Sequence, residues 1–430
     1  MRASVIIPVW NGMEYLPACI GALLAQDYPD FEVIVVDNGS TDGSGDWVAE
    51  RYPQIRLIRN FQNLGFSGGC NMGLRVAQGE VLILLNQDTI VQPGWLPAMV
   101  EALRKPEVGA VGCKLLYPDG RTIQHAGGWI EWPLGLAHHY GQGEEDRGQW
   151  DEPRPVDYVT GAAVAFRRDV MKQVGLLDEG FWPGYFEDAD FCYRVREAGY
   201  GIWYVPMGVA IHYETTTSRN PRARAQTYHR GRLRFVLKHT PPDRFLSVFV
   251  PAEEAHIRAL ITSEGPGPLS AAYMIAVVQA PALLSQRWKA ELGIRQQVIN
   301  ALIALYRYCW DIRLSMTTSL ENSHGKIALP ALSEFQFRSR IPVLGPLIAW
   351  FRSFEYGLSS RWAVRHLIIQ QETINRLIEA RLTEVYQQVE QLAEILRELS
   401  LMHLEQVVES LRELSLMHLE FRSHEDDHER

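Results

Sequence analysis

The chain has 430 residues, long enough for two domains. Hydrophobic residues make up 47% and charged residues 22%, the balance of an ordinary globular protein rather than a disordered or fibrous one. A net charge of −9 excludes any general attraction to nucleic acid and leaves only local basic patches to consider.

The first predicted element is a short apolar strand, Ser4-Val-Ile-Ile7, which runs into Pro8-Val9-Trp10-Asn11. Leu16, Ile20, Leu23 and Leu24 then fall on one face of a helix. A second strand, Phe31-Glu-Val-Ile-Val-Val36, ends in Asp37-Asn38-Gly39-Ser40-Thr41-Asp42. A glycine-rich loop over 63–71 leads into a helix at 72–77, and a third apolar run from Val81 ends abruptly in Asn86-Gln87-Asp88. This alternation predicts βαβ units and a mostly parallel sheet with right-handed crossovers. Strands built wholly of Val, Ile and Leu are buried on both faces. They deliver the residues after them to the carboxyl edge of the sheet, where open α/β folds bind ligands.

Residues 116–156 change character, with Gly127-Gly128-Trp129, His138-His139 and Glu144-Glu145-Asp146, and are read as an irregular excursion over the site. A strand is expected over 156–166, a short helix over 169–174, and a helix rich in charge and aromatics within 184–199. A strand at 201–205 and a basic helix at 228–238 close the unit, and Pro241-Pro242 marks its boundary. Beyond it the pattern is helical, interrupted by Gly265-Pro266-Gly267-Pro268. The apolar stretch 341–351, beside Arg338, Arg340 and Arg352, is too short to span a bilayer. It reads as a buried hairpin or as a segment lying in a lipid interface. From Ile378, the residues Leu382, Val385, Val389, Leu392, Leu396 and Leu399 are spaced by four and three, a heptad seam. Residues 396–405 recur at 411–420, an offset that is not a heptad multiple, so the seam must shift there. His403 and His418 are read as polar positions on that helix rather than metal ligands. The expected division is 1–245, 246–365 and 366–430.

The five cysteines are scattered without a CxxC pair, which fits buried thiols in a reducing compartment better than disulfides or zinc. No signal-like stretch opens the sequence and no apolar run reaches bilayer length, so a cytoplasmic location is expected, with peripheral membrane contact left open.

The motifs fall in a telling order: Val5-Ile-Ile-Pro8-Val-Trp-Asn11, Val35-Val-Asp37-Asn-Gly-Ser-Thr-Asp42, Asn63-Leu-Gly65-Phe-Ser-Gly-Gly-Cys-Asn71, Leu85-Asn86-Gln-Asp88, Thr160-Gly161-Ala162, Phe186-Glu187-Asp188-Ala-Asp190-Phe-Cys-Tyr-Arg194, and His212. Over a little more than half the chain this order resembles the family 2 glycosyltransferases of GT-A fold, particularly their rhamnosyltransferase-like branch. The resemblance implies an α/β fold with a mostly parallel sheet flanked by helices, here followed by an all-α region with a coiled-coil-like tail. It implies a nucleotide-diphosphate sugar donor bound by Pro8, Asn11, Asp37, Asn63, Gly65, Asn71 and Asn86. Asp88 and His212 would hold a divalent cation, Mn or Mg. Asp188 would be the general base, with Glu187 orienting it or binding acceptor hydroxyls. Thr160, Gly161 and Trp182 would line the acceptor side.

The residues support parts of this by their own chemistry. Asp37 at a strand end can accept hydrogen bonds from a base or ribose, whereas Asp42 sits where an Asp would also cap the next helix. A single carboxylate at Asp88 holds a divalent ion weakly, so diphosphate oxygens and water must complete the shell. Imidazole in the set leans towards Mn. Glu187 and Asp188 also suit a helix N-terminus, and Asp190 and Arg194 read as a helix-surface ion pair. Trp182, Tyr185 and Phe186 either stack on sugars or enter the core. Arg230, Arg232 and Arg234 either meet a diphosphate or form a solvated face.

The expected function is inverting, metal-dependent transfer of a sugar, with rhamnose as the branch suggests, to a glycan or lipid-linked acceptor in cell-surface polysaccharide synthesis. The enzyme would then work at the inner face of a membrane, and its tail would offer a route to a homo-oligomer. The competing reading is an inactive nucleotide-sugar-binding scaffold acting through its C-terminal helices. The intact Glu187-Asp188 pair favours the enzyme. A dinucleotide-dependent dehydrogenase is disfavoured because the first strand runs into Pro8-Val-Trp-Asn11 rather than a GxGxxG turn.

Overall fold

A computed structural model of the chain describes residues 1–214, 220–264 and 267–323. The apolar stretch 341–351, the heptad seam and the duplicated segment with His403 and His418 lie outside the described residues. The chain opens with β1 (Ala3–Val9), α1 (Leu16–Leu24), β2 (Phe31–Asp37), α2 (Ser44–Arg51), β3 (Arg56–Arg59), α3 (Gly65–Val76), β4 (Val81–Leu85), β5 (Thr89–Val91) and α4 (Trp95–Ala102). Next come β6 (Val108–Leu116), β7 (Ile123–His125), β8 (Gly128–Glu131), β9 (Leu136–His139), β10 (Arg154–Pro155), β11 (Ala163–Arg167), α5 (Arg168–Val174), α6 (Glu187–Glu197), β12 (Gly201–His212) and α7 (Pro221–His239). The helices α8 (Pro242–Arg244), α9 (Val250–Glu264), α10 (Gly267–Trp288) and α11 (Leu292–Ser323) come after the last strand.

The α/β class and the helices after the sheet are as expected. The main sheet runs in the order β10-β12-β6-β11-β4-β1-β2-β3. Strands β4, β1, β2 and β3 pair in parallel, as do β6 and β12, while β11 enters antiparallel between β4 and β6. Side chains alternate between two cores, one on each face. Val5, Ile7 and Val9 of β1 join Leu16, Ile20 and Trp95 on one side. Ile6 joins Cys70, Leu74, Phe191 and Val195 on the other. Burial on both faces is why these strands are apolar at every position, each large side chain contributing about 1.5–3 kcal/mol.

Five details differ from expectation, the first being that most of the glycine-rich segment 63–71 is not a loop but the opening turns of α3, which starts at Gly65 rather than at 72. The edge strand β3 has the sequence Arg-Leu-Ile-Arg, whose terminal charges hide it from an apolar-run reading and also blunt the sheet edge. The stretch 116–156 is not merely an excursion, since it contributes β7 to β10 and the buried residues Ile123 and His125. The strand expected over 156–166 shortens to β11, and the one expected over 201–205 continues to His212 past a register shift between Val205 and Val209. Finally, α10 is long and apolar enough to cross a membrane by length and composition, although half of its most apolar window is buried inside the protein. Soluble core helices meet the same description.

The chain order along the sheet reverses between β1 and β4, because β2 and β3 lie on one side of β1 and the later strands lie on the other. The carboxyl ends of β1 and β4 therefore flank a crevice of the kind in which open α/β sheets bind ligands. The motifs containing Asn11 and Asp88 lie at these two ends.

Candidate active site

Gln87 closes the crevice from the β4 side. Its side-chain oxygen accepts from the Trp10 backbone N–H at 2.9 Å and its amide nitrogen donates to the Trp10 carbonyl at 3.2 Å. The turn must pass close to that amide, and a Cβ on Gly12 would overlap it. Gln87 was not foreseen as a site residue, although its place between Asn86 and Asp88 was the available signal.

The next turn carries Asn11 and Asp42. Asn11 has φ of 50° and its oxygen accepts from the Thr41 N–H at 2.8 Å. Asp42 accepts from the Met13 N–H at 2.9 Å, from the Ser44 N–H at 3.0 Å and from the Ser44 hydroxyl at 2.6 Å. Burial opposes the Asp42 charge, but these hydrogen bonds prevail and hold its pKa below the usual carboxylate range. Asp42 thus fastens the ends of β1 and α2 together.

Asp37 stands at the end of β2, buried, accepting from the Ser40 N–H at 2.9 Å. A Cβ on Gly45 would collide with its other oxygen, so α2 can begin against this carboxylate only with glycine there. Asn38, not foreseen, ties the glycine loop to the strand. It donates to Asn63 Oδ1 and to the Gly65 carbonyl at 3.0 Å, and it accepts from Asn60 at 2.9 Å and from the Leu64 N–H at 3.1 Å. Asn63 Oδ1 also accepts from the Gly65 N–H at 2.8 Å. Pro8 lies in β1 opposite Val36, with its ring near Gly69 of α3. Asn71 is directed elsewhere: both of its side-chain atoms bond Leu177, and its amide also reaches Glu179 at 2.9 Å. It positions the loop that leads to α6.

Asn86, Asp88 and His212 come together. The register shift in β12 sets His212 opposite Thr89, and the Tyr213 N–H donates to the Asp88 carbonyl at 3.0 Å. His212 Nε2 lies 3.4 Å from Asp88 Oδ1 and 3.4 Å from the Asn86 amide nitrogen. The tautomer is set from behind by Gln124 of β7. Its amide nitrogen donates to the His212 carbonyl at 3.4 Å, which leaves its oxygen facing His212 Nδ1 at 2.7 Å. Nδ1 therefore carries a proton, which leaves Nε2, on the Asp88 side, as the nitrogen available to a metal. Asn86 Oδ1 is buried with no hydrogen-bond partner. Two lone-pair donors 3.4 Å apart beside an orphaned amide oxygen fit a bound cation. Among the described residues no group of three or more His, Cys, Asp or Glu side chains could hold a metal ion, so further ligands would have to come from substrate and water.

Asp188 lies in the first turn of α6, bonded to the segment that leads into β11. Oδ2 accepts from the Gly161 N–H at 2.9 Å, Oδ1 from the Ala189 N–H at 2.7 Å, and the Thr160 hydroxyl also bonds the carboxylate. Thr160 and Gly161 thus hold Asp188 in place. Burial raises its pKa against the pull of those hydrogen bonds, the direction a general base needs. The turn ahead of it is strained, since Tyr185 and Phe186 have φ of 71° and 73°. Glu187 is buried beside Cys70, and one of its oxygens has no hydrogen-bond partner. Burial and then the neighbouring Asp188 raise its pKa well above the usual range, which favours its neutral form.

The three aromatics divide. Phe186 is core, Tyr185 is half-buried, and Trp182 is exposed against Gly65, where a Cβ would fall 2.5 Å from the indole. The Phe66 N–H donates to the Pro183 carbonyl at 2.9 Å, and the Phe66 ring would lie 3.0 Å from a Cβ on Gly161. The start of α3, the 182–186 turn and the residues holding Asp188 therefore form one continuous wall.

Two electrostatic expectations are overturned. Asp190 and Arg194 do pair at 2.9 Å, but Asp190 is fully buried rather than on the surface. It also takes Lys238 at 2.7 Å and His239 at 2.8 Å, and these partners hold its pKa well down despite burial. The basic helix is longer than expected and is not a solvated face, because Arg232 is completely buried against Glu253. Burial would lower the guanidinium pKa, but Glu253 raises it further. Tyr273 bonds the same carboxylate, joining α7, α9 and α10.

Residues 4–175 match the model of glycosyl transferase family 2. The chain is 31% identical over 238 residues to an N-acetylglucosaminyl-diphospho-decaprenol L-rhamnosyltransferase of Mycobacterium tuberculosis, a match covering 50% of this chain and 76% of that protein. It is 33% identical over 228 residues to an O-antigen biosynthesis protein of Myxococcus xanthus, covering 51% of this chain and 18% of that protein. An uncharacterized protein of Sinorhizobium fredii is 33% identical over 228 residues, covering 50% of this chain and 24% of its own length. The chain thus spans about a quarter or less of the length of these last two relatives.

Proposed function

Because the chain belongs to glycosyl transferase family 2, we propose that it moves a sugar from a nucleotide-diphosphate donor to a hydroxyl of a glycan or lipid-linked acceptor, inverting the anomeric carbon. Rhamnose is the first candidate sugar and cell-surface polysaccharide the first candidate product, in line with the names of two relatives. Work at the cytoplasmic face of a membrane belongs to the same proposal.

The observation that supports this reading best is the placement of Asp188. It lies in the first turn of α6, half-buried, oriented by the Gly161 and Ala189 N–H groups, with a raised pKa. In the proposed step Asp188 takes the proton of the acceptor hydroxyl as its oxygen attacks the anomeric carbon. The bond from that carbon to the diphosphate breaks on the opposite face, through a transition state of oxocarbenium character. Asp37 and the Asn11, Asn38 and Asn63 turns would hold the nucleoside. Asp88 and His212 would hold a divalent cation, which when bound offsets charge growing on the leaving diphosphate. The imidazole favours Mn over Mg. Glu187, buried and with its pKa raised towards the neutral form, would spare Asp188 a like charge at its side.

The test is sugar release from UDP-, dTDP- and GDP-linked donors with Mn present, comparing the parent with Asp188→Asn. The proposal expects metal-dependent turnover in the parent and almost none in the variant. Equal turnover in the two proteins would remove Asp188 as base, and inert parent protein on all three donors would favour a binding scaffold.

A further inference from the structure

Three arginines of α7 lie within five residues, and the fold treats them unequally. Arg232 reaches both oxygens of Glu253, with Nη1 to Oε2 at 2.8 Å, and also donates to the Leu134 carbonyl at 2.8 Å. Arg234 reaches both oxygens of Asp178 at 2.9 Å. Arg230 has no such partner. Among the described residues no carboxylate pairs with it, and its Nε is buried without an acceptor. The indole of Trp182 lies 5.7 Å from its guanidinium. That face favours a cation but accepts none of its N–H groups. Burial, and then the like charge of Arg234, lower the Arg230 pKa, so the fold maintains this cation at a cost.

Its position is informative. The next residue, Gly231, backs onto the Tyr185 carbonyl, where a Cβ would fall 2.5 Å away, in the strained turn that presents Glu187 and Asp188. Trp182 in turn rests on Gly65, and Phe66 on Gly161, whose N–H holds Asp188. Arg230 therefore stands on the wall of the acceptor side.

We propose that Arg230 is the anion-binding residue of the acceptor subsite and receives a phosphate group carried by the acceptor. The planar guanidinium matches phosphate with two parallel hydrogen bonds, and partial burial strengthens both. This rests on the transferase reading above. Phosphate could reach Arg230 from two sources, the donor diphosphate or the acceptor, and the experiment separates them.

The full chain is first saturated with Mn and whichever of UDP, dTDP or GDP binds tightest, which fills the donor site. Decyl diphosphate is then titrated by calorimetry, with decanol as the control, against the parent, Arg230→Gln and Arg230→Lys. The expected result is saturable binding to the parent, weakened about tenfold or more in Arg230→Gln and several-fold in Arg230→Lys. Nucleoside diphosphate affinity should stay unchanged in both variants and the thermal midpoint should not fall, and the lysine variant carries the test if the glutamine variant does not fold. Three results would overturn the assignment: no decyl diphosphate binding to the nucleotide-filled parent, equal affinity in the variants, or a loss of nucleoside diphosphate affinity that assigns the cation to the donor. A parent that binds none of the nucleoside diphosphates would instead sink the transferase reading, and this inference with it.

Discussion

The two ends of the site satisfy their charges by different means. On the β1–β2–β3 side, Asp37 and Asp42 are held by backbone N–H groups and a hydroxyl from residues close in sequence, or just across the strand edge. On the α6–α7 side, Asp178, Asp190 and Glu253 are held by arginine, lysine and histidine side chains, mostly 21 to 60 residues away, and Asp190 and Glu253 are fully buried. The first arrangement leaves carboxylates at an open edge with acceptor capacity available to a ligand. The second uses most of its buried charges to hold helices together, whereas Asp188 and Arg230 are paired with no opposite charge among the described residues. Charges spent on folding and charges kept for chemistry can thus be told apart by what faces them.

Four substitutions, with Asp42→Asn as a control, would break or sharpen that contrast. Asp188→Asn should cut sugar transfer by about 10²- to 10⁴-fold while leaving stability and nucleotide binding near parental values, as paired rate and denaturation measurements would show. Glu253→Gln should do the reverse and cost about 3–5 kcal/mol in urea unfolding, because Arg232 is left buried and uncompensated. A loss no larger than that of Asp42→Asn would erase the distinction between the two ends. Gln124→Ala should weaken Mn binding by about 10- to 100-fold, read by titration in the presence of a nucleoside diphosphate, since the His212 tautomer is no longer fixed. Unchanged Mn affinity would separate His212 from the cation.

The smallest effect concerns Glu187. Its folded pKa is raised, so the unfolded chain ionises first as pH climbs, and unfolding becomes easier from the ordinary glutamate range up towards the folded value. The stabilisation is fully present below that range and is lost above it. Glu187→Gln removes this slope, so its thermal midpoint relative to the parent should be a few degrees higher at pH 8 than at pH 5. A difference that does not change with pH would show that Glu187 is not held neutral.

Legibility in the sequence obeys the same division. Ends of apolar strands are local features, so Asp37, Asp88 and the glycine loop were visible as candidates, and the family order of motifs pointed to Asp188. Gln124 was not visible, because its role depends on β7 lying beside the end of β12, 88 residues away. Arg232 looked solvated because its partner Glu253 lies beyond Pro241-Pro242, and Asp190 looked exposed because Lys238 and His239 come almost fifty residues later. Asn71 carried a family expectation, yet its amide is committed to Leu177 and Glu179 by contacts more than a hundred residues apart.

The most direct test is nucleoside diphosphate binding, measured with and without Mn, in the parent and in Asp37→Asn, Asp88→Asn and Asp188→Asn. One shared donor site predicts that Asp37→Asn weakens binding with or without the metal, that Asp88→Asn removes only the Mn-dependent part, and that Asp188→Asn binds normally yet transfers sugar about 10²- to 10⁴-fold more slowly. Normal binding in the first two variants, or sugar transfer at the parental rate by the third, would contradict it.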